Sequence, residues 1–111
     1  MKNSQILLLG MAYKKDIGDM RESPALDVLE LLKEKGAKVS YHDPYVPDLT
    51  LGGETFKSLS LTSSNLKKMD IVVVTTNHSV FDAKMIVESS AIVMDTRNAT
   101  SGIKSSKIYK L

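Results

Sequence analysis

Lys14, Lys15 and Arg21 fall within one stretch, Gly10-Met-Ala-Tyr-Lys-Lys-Asp-Ile-Gly-Asp-Met-Arg-Glu-Ser-Pro24, between an apolar run at 6–9 and an amphipathic segment starting near Pro24. Ammonium and guanidinium groups just ahead of a helix N-terminus are suited to binding phosphate. The side chains supply charge, and the helix supplies unpaired N–H groups and the positive end of its dipole. Asp16, Asp19 and Glu22 accompany the cations. For any one of them, an exposed ion pair of little energetic worth is the competing reading. Clustering at the end of a first strand, where α/β folds receive anionic ligands, favours phosphate. The connection also exceeds the usual length of about 2–6 residues, and long connections tend to be functional.

Other residues fit this chemistry less decisively. Arg97 follows the apolar run 91–94 and is expected on the same sheet rim as the first connection, as a further cation for a diphosphate. An ion pair with Asp95 or an exposed turn position explains it equally well. Tyr13 offers a ring to stack on a base or ribose, and it equally fits a tyrosine half buried under its own loop. Asp43 sits where dinucleotide binders place a ribose-binding carboxylate, but Pro44 follows, and a turn-initiating Asp-Pro is the simpler account. His42 and His78 lack a nucleophile or carboxylate at catalytic spacing and read as structural or surface residues. Cysteine is absent, so this chain holds no disulfide, thiolate metal site or cysteine nucleophile. No catalytic residue and no metal site are assigned.

The elements that must position these residues follow in order. Residues 5–9 read as a strand buried on both faces, closed by Gly10. Ser23 is a suitable N-cap and Pro24 a suitable first helical residue. Ala25, Val28, Leu29 and Leu32 form one apolar stripe, Lys33 and Lys35 suit the helix C-terminus, and Gly36 stops it. Residues 38–42 alternate as a second strand. The turn-rich stretch 44–54 carries no predicted regular structure, with a brief extended piece near 55–59. A short capped helix is expected over 62–69, a β-branched strand over 70–75, a helix over 80–89, a strand over 91–94 and an edge strand over 107–111. This alternation predicts a single α/β domain over 1–111, a Rossmann-like three-layer α/β/α arrangement with a mainly parallel sheet.

Composition narrows the function. The chain has 111 residues, 42% of them hydrophobic, and a net charge of +2, as expected of one soluble globular domain. Few aromatics and no basic run argue against nucleic acid. No apolar stretch is long enough for a membrane span, and residues 1–4 do not open a signal peptide, so the expected location is cytoplasmic. The Gly-x-Gly-x-x-Gly dinucleotide fingerprint is missing, since Gly18 is the next glycine after Gly10. Side-chain cations must then carry more of any phosphate binding. A response-regulator receiver, of similar length and topology, would need an acidic pair after the first strand and an aspartate after the third. Gly10-Met11 and Thr75-Thr76 occupy those places.

The motif from Gly10 to Ala25, followed by Tyr41-His-Asp-Pro-Tyr-Val-Pro47 and Met94-Asp-Thr-Arg-Asn98, closely resembles the C-terminal domain of the UDP-glucose/GDP-mannose dehydrogenase family. The wording is most similar to the branch that oxidises UDP-N-acetylhexosamines. The resemblance implies a three-part, NAD-dependent enzyme: an N-terminal NAD-binding Rossmann domain, a central dimerisation region, and this domain closing over the substrate nucleotide. Such enzymes oxidise a C6 alcohol to a carboxylate in two steps through a thiohemiacetal on cysteine. It further implies that Tyr13 and Lys14 contact the UDP portion, that Arg97 touches the substrate diphosphate, and that Arg21 reaches the NAD pyrophosphate. The implied partners are a UDP-sugar and the N-terminal and central domains, within a homo-oligomer. Lacking cysteine and NAD fingerprint, the chain is expected to be a fragment inactive by itself. The alternative is a stand-alone ligand-binding or scaffolding domain.

Overall fold

A computed structural model of the chain describes residues 4–11, 24–51, 53–75, 81–95, 100, 102–103 and 105–110, without the side chains of 24–26, 51 and 110. Strand β1 (Gln5–Leu9) is an interior strand of the sheet, paired on both sides. Its residues Ile6 to Leu9 are all essentially inaccessible to solvent, which is why the run is apolar at every position rather than alternating. Helix α1 (Pro24–Glu34) follows. Leu29 is buried, with Val28 and Leu32 packed beside it, as the helical spacing predicts. The helix ends through Gly36, whose φ of 85° admits the left-handed turn. There the N–H of Gly36 donates to Lys33 O and that of Ala37 to Leu32 O, satisfying carbonyls left open at the helix end. The Ser23 cap lies outside the described residues.

Strand β2 (Lys38–His42) pairs parallel with β1, Gln5 opposite Lys38 and Leu9 opposite His42. The chain then forms a hairpin, β3 (Asp48–Leu51) and β4 (Glu54–Lys57), with Leu49 opposite Phe56. This corrects the expectation that 44–54 is irregular. Leu51 lies opposite Glu54, and Gly53, at φ 81°, supplies the left-handed backbone that so short a connection favours. Leu49 and Phe56 join the core under α1, and that burial outweighs the turn-forming prolines around them. The Leu59 N–H donates to Tyr41 O, securing the hairpin's exit strand to β2.

Helix α2 (Ser63–Lys67) is capped by Thr62, whose side chain accepts the Asn65 N–H. Strand β5 (Ile71–Val74) returns to the other side of β1. Helix α3 (Ala83–Ser89) starts behind the cap of Asp82 rather than at Val80, because the Asp82 carboxylate accepts the Met85 N–H and sets the first turn. Strand β6 (Val93–Asp95) starts two residues later than the expected 91–94 and ends one residue further on, and β7 (Ile108–Lys110) closes the sheet as its last strand.

The order is β2-β1-β5-β6-β7, every pairing parallel. Alternate residues of β1 serve opposite cores. Ile6 and Leu8 pack with Leu29, Tyr41 and Leu49 on the α1 side. Leu7 and Leu9 pack with Leu66, Ile86, Val87 and Val93 on the α2–α3 side. The result is a three-layer α/β/α, Rossmann-like fold. The chain leaves β1 towards β2 and later crosses back to β5, so the winding reverses between β1 and β5. Ligands of such sheets bind outside the carboxyl ends of the strands at that reversal.

Candidate functional site at the carboxyl rim of the sheet

Because the sheet is wholly parallel, β2, β1, β5 and β6 all end on one rim, and a network of backbone and buried polar groups frames it. At the end of β1, Gly10 has φ 95° and donates its N–H to His42 O at 2.8 Å. A side chain there would strain the left-handed backbone. Met11 follows, fully buried among Ile6, Leu8 and Tyr41, and its N–H donates to Asp43 Oδ2 at 2.7 Å. The other carboxylate oxygen accepts the Tyr45 N–H at 2.8 Å, the turn that Asp-Pro foretold. The Asp43 N–H donates to Ser58 Oγ at 2.9 Å. Asp43 is 1% exposed, so a charged group has been taken from water and supplied with N–H donors instead.

At the end of β5, Thr75 donates its N–H to Leu9 O at 2.9 Å, and its single hydroxyl proton is shared between Leu9 O, at 3.0 Å, and Gly10 O. That arrangement locks the two strands together at the reversal point. At the end of β6, Asp95 is 1% exposed. Its Oδ2 accepts both the N–H and the hydroxyl of Thr100. His42 directs Nδ1 at Leu59 O, 2.6 Å away, and its ring lies 5.8 Å from Phe81. These contacts anchor the ring beside the hairpin's exit.

The candidate ligand residues Tyr13, Lys14, Arg21 and Arg97 lie outside the described residues. Their chain neighbours are described. Segment 12–23 follows Met11 at the end of β1, segment 76–80 follows Thr75 at the end of β5, and segment 96–99 follows Asp95 at the end of β6. These three strands are consecutive in the sheet. Sequence reasoning placed Asp43 in its turn but missed that Asp43 and Asp95 are buried. The available signal was an aspartate placed directly at the end of a strand whose neighbours are buried, since such a group needs partners from elsewhere in the fold.

A sequence profile described as the UDP-glucose/GDP-mannose dehydrogenase family, UDP binding domain, matches residues 7–102. The chain belongs to this family. The UDP-N-acetyl-D-mannosamine dehydrogenase of Methanococcus aeolicus is 31% identical over 104 residues, covering 86% of this chain and 22% of that protein. UDP-glucose 6-dehydrogenase 2 of Arabidopsis thaliana is 48% identical over 48 residues, which are 43% of this chain and 10% of that enzyme. This member of the UDP-glucose/GDP-mannose dehydrogenase family therefore spans about a fifth or less of the length of these relatives. Among solved structures, the UDP-D-ManNAc dehydrogenase of Pyrococcus horikoshii superposes with a TM-score of 0.73 at 28% identity, over 98% of this chain and 25% of that one. GDP-mannose dehydrogenase of Pseudomonas aeruginosa shares the fold, with a TM-score of 0.76 at 16% identity, over 99% of this chain and 28% of that one. No helix among the described residues is long and apolar enough to cross a membrane.

Proposed function

We propose that this chain is one domain, residues 1–111, that binds the nucleotide of the substrate in a cytoplasmic NAD-dependent nucleotide-sugar 6-dehydrogenase. The parent enzyme oxidises a UDP-hexose or UDP-N-acetylhexosamine to its uronic acid. One observation carries the reading: β1 and β6 run parallel with only β5 between them, so the segments bearing Lys14 and Arg97 start on one rim, two strand spacings or about 10 Å apart. In this reading Tyr13 and Lys14 contact UDP, Arg97 holds the diphosphate, and Arg21 reaches the pyrophosphate of NAD. Phosphate oxygens and guanidinium or ammonium donors make charge-assisted hydrogen bonds of the strong class.

NAD supplies the hydride acceptor when bound. The β1–α1 connection of this chain does not fit a dinucleotide cradle. Counted from Gly10, the positions where such a cradle needs its second and third glycines hold Ala12 and Lys15. The cofactor is then held mainly by another domain, with Arg21 as this chain's contribution. The catalytic cysteine also comes from outside a chain that contains none. The N-terminal and central domains, in a homo-oligomeric parent, are the partners. The domain alone has no dehydrogenase activity.

The test is a UDP titration of this chain followed by amide resonances. Shifts concentrated at Lys14 and Arg97, and lost in Lys14→Ala and Arg97→Ala, support the reading. An unchanged spectrum at millimolar UDP overturns it. NAD reduction by the chain alone with a UDP-sugar would overturn the prediction of inactivity.

A further inference from the structure

We infer that Asp43 is a positioning residue, whose buried carboxylate fixes the point from which segment 12–23 leaves the sheet. The inference depends on the nucleotide reading for the identity of the ligand and not for the geometry. Met11 and Asp43 are 32 residues apart in sequence, and the Asp43 side chain joins them by a 2.7 Å hydrogen bond between groups sealed from solvent. The same carboxylate holds the Tyr45 N–H at 2.8 Å. Its backbone is held in turn, since the Asp43 N–H donates to Ser58 Oγ and the Val46 N–H donates to Asp43 O. Asp43 is thus gripped from its own turn and from the hairpin's exit while it grips the end of β1.

An ordinary strand end would leave the N–H of Met11 to water or to the next strand's backbone. Here the ladder to β2 finishes with Gly10 donating to His42 O, and the next donor is captured by a side chain. A carboxylate does this better than a neutral acceptor, because bonds to an ionised group are shorter and stronger. Burial raises the cost of leaving either group unpaired. The arrangement pre-sets the backbone at Met11 before any ligand arrives. Pre-organisation of this kind improves affinity by removing ordering cost at the moment of binding.

The test compares Asp43→Asn with Tyr41→Phe in this chain. Asn keeps the shape but presents one neutral acceptor, so the Met11 N–H either loses its partner or keeps a weaker, uncharged one. Tyr41→Phe removes a different buried hydrogen bond of the same turn, from the Tyr41 hydroxyl to Val46 O, and leaves the Met11 bond intact. In Asp43→Asn the Met11 amide proton is expected to move upfield and to exchange at least about ten-fold faster, while the amides of Leu7 and Leu8 keep their protection. UDP binding is expected to weaken about ten-fold, whereas Tyr41→Phe stays within about two-fold of wild type. A Met11 amide unmoved in Asp43→Asn, or equal loss of UDP binding in Tyr41→Phe, would overturn the inference. If the wild type shows no UDP response, the nucleotide reading falls and the Met11 amide alone decides the role of Asp43. Should Asp43→Asn not fold, Asp43→Ser, which retains a hydroxyl for the Tyr45 turn, replaces it. Should neither fold, a wild-type Met11 amide exchanging like an open loop overturns the inference, and a protected, downfield one supports it.

Discussion

Thr100 is joined to Asp95 twice: its N–H donates to Asp95 Oδ2 at 2.8 Å and its hydroxyl to the same oxygen at 2.6 Å. Both residues are buried, so segment 96–99 departs and returns at a fixed place beside β6. Thr100→Val keeps the N–H bond and the shape but loses the hydroxyl donor. It is expected to cost about 1–2 kcal/mol of stability in urea unfolding, and Thr100→Ser should recover most of it. If Arg97 serves the diphosphate, UDP affinity falls in the Val variant and returns in the Ser variant.

Tyr41 gives a pH signature. Burial first, and then the nearby carboxylates of Asp48 and Asp43, push its hydroxyl from 10.0 up to about 12. In the unfolded chain a tyrosine ionises near about 10. Between these values the unfolded state loses the proton and the folded state keeps it, so stability present below pH 10 declines as pH rises to 12. The loss is on the order of 2–3 kcal/mol at the upper end. Comparing urea midpoints of wild type and Tyr41→Phe across pH 9–12 checks this. The Phe variant starts lower because Val46 O loses its donor, and it shows the shallower decline.

The hairpin turn makes a backbone prediction. A Cβ at Gly53 would meet nothing within 4 Å, yet its φ is 81°. Gly53→Ala is therefore penalised by conformation and not by crowding, at about 1–2 kcal/mol. Gly53→Asn should be milder, since Asn tolerates this region better. Thermal unfolding of the two variants distinguishes them.

Core and surface should separate clearly on α1. Leu29 is fully buried at its centre, and Leu29→Ala is expected to cost about 2–5 kcal/mol in chemical denaturation. Lys33 pairs with Glu54 of the hairpin and lies 5.3 Å from the Phe56 ring. Both charged side chains are about half exposed, at 45% and 52%. Glu54→Ala should therefore cost less than about 1 kcal/mol, with the difference shrinking further in salt.

Much of the architecture was legible in the chain itself. Local signals define β1, α1, β2, α2 and β5: an apolar run at 5–9, a helical stripe ending at Gly36, a β-branched run before Thr75. These patterns report burial directly, because a strand covered on both faces has no polar position and a helix covered on one face has a stripe. The hairpin was legible in principle through Gly52-Gly53. Pro44 and Pro47 dominate the local signal there, whereas the burial of Leu49 and Phe56 against α1 is a long-range term.

The sequence by itself determined the mainly parallel α/β arrangement, the family motif and the absence of a cysteine nucleophile, since each is carried by residue types at short spacing. Tertiary structure decided which polar residues became structural. Asp43 reads locally as a turn aspartate, and it is one, but only the parallel pairing of β1 with β2 brings Met11 to its second oxygen. Asp95 and Thr100 acquire their roles in the same way. Local sequence can mark a residue as buried or turning, but a buried charge is satisfied by whatever the fold delivers to it.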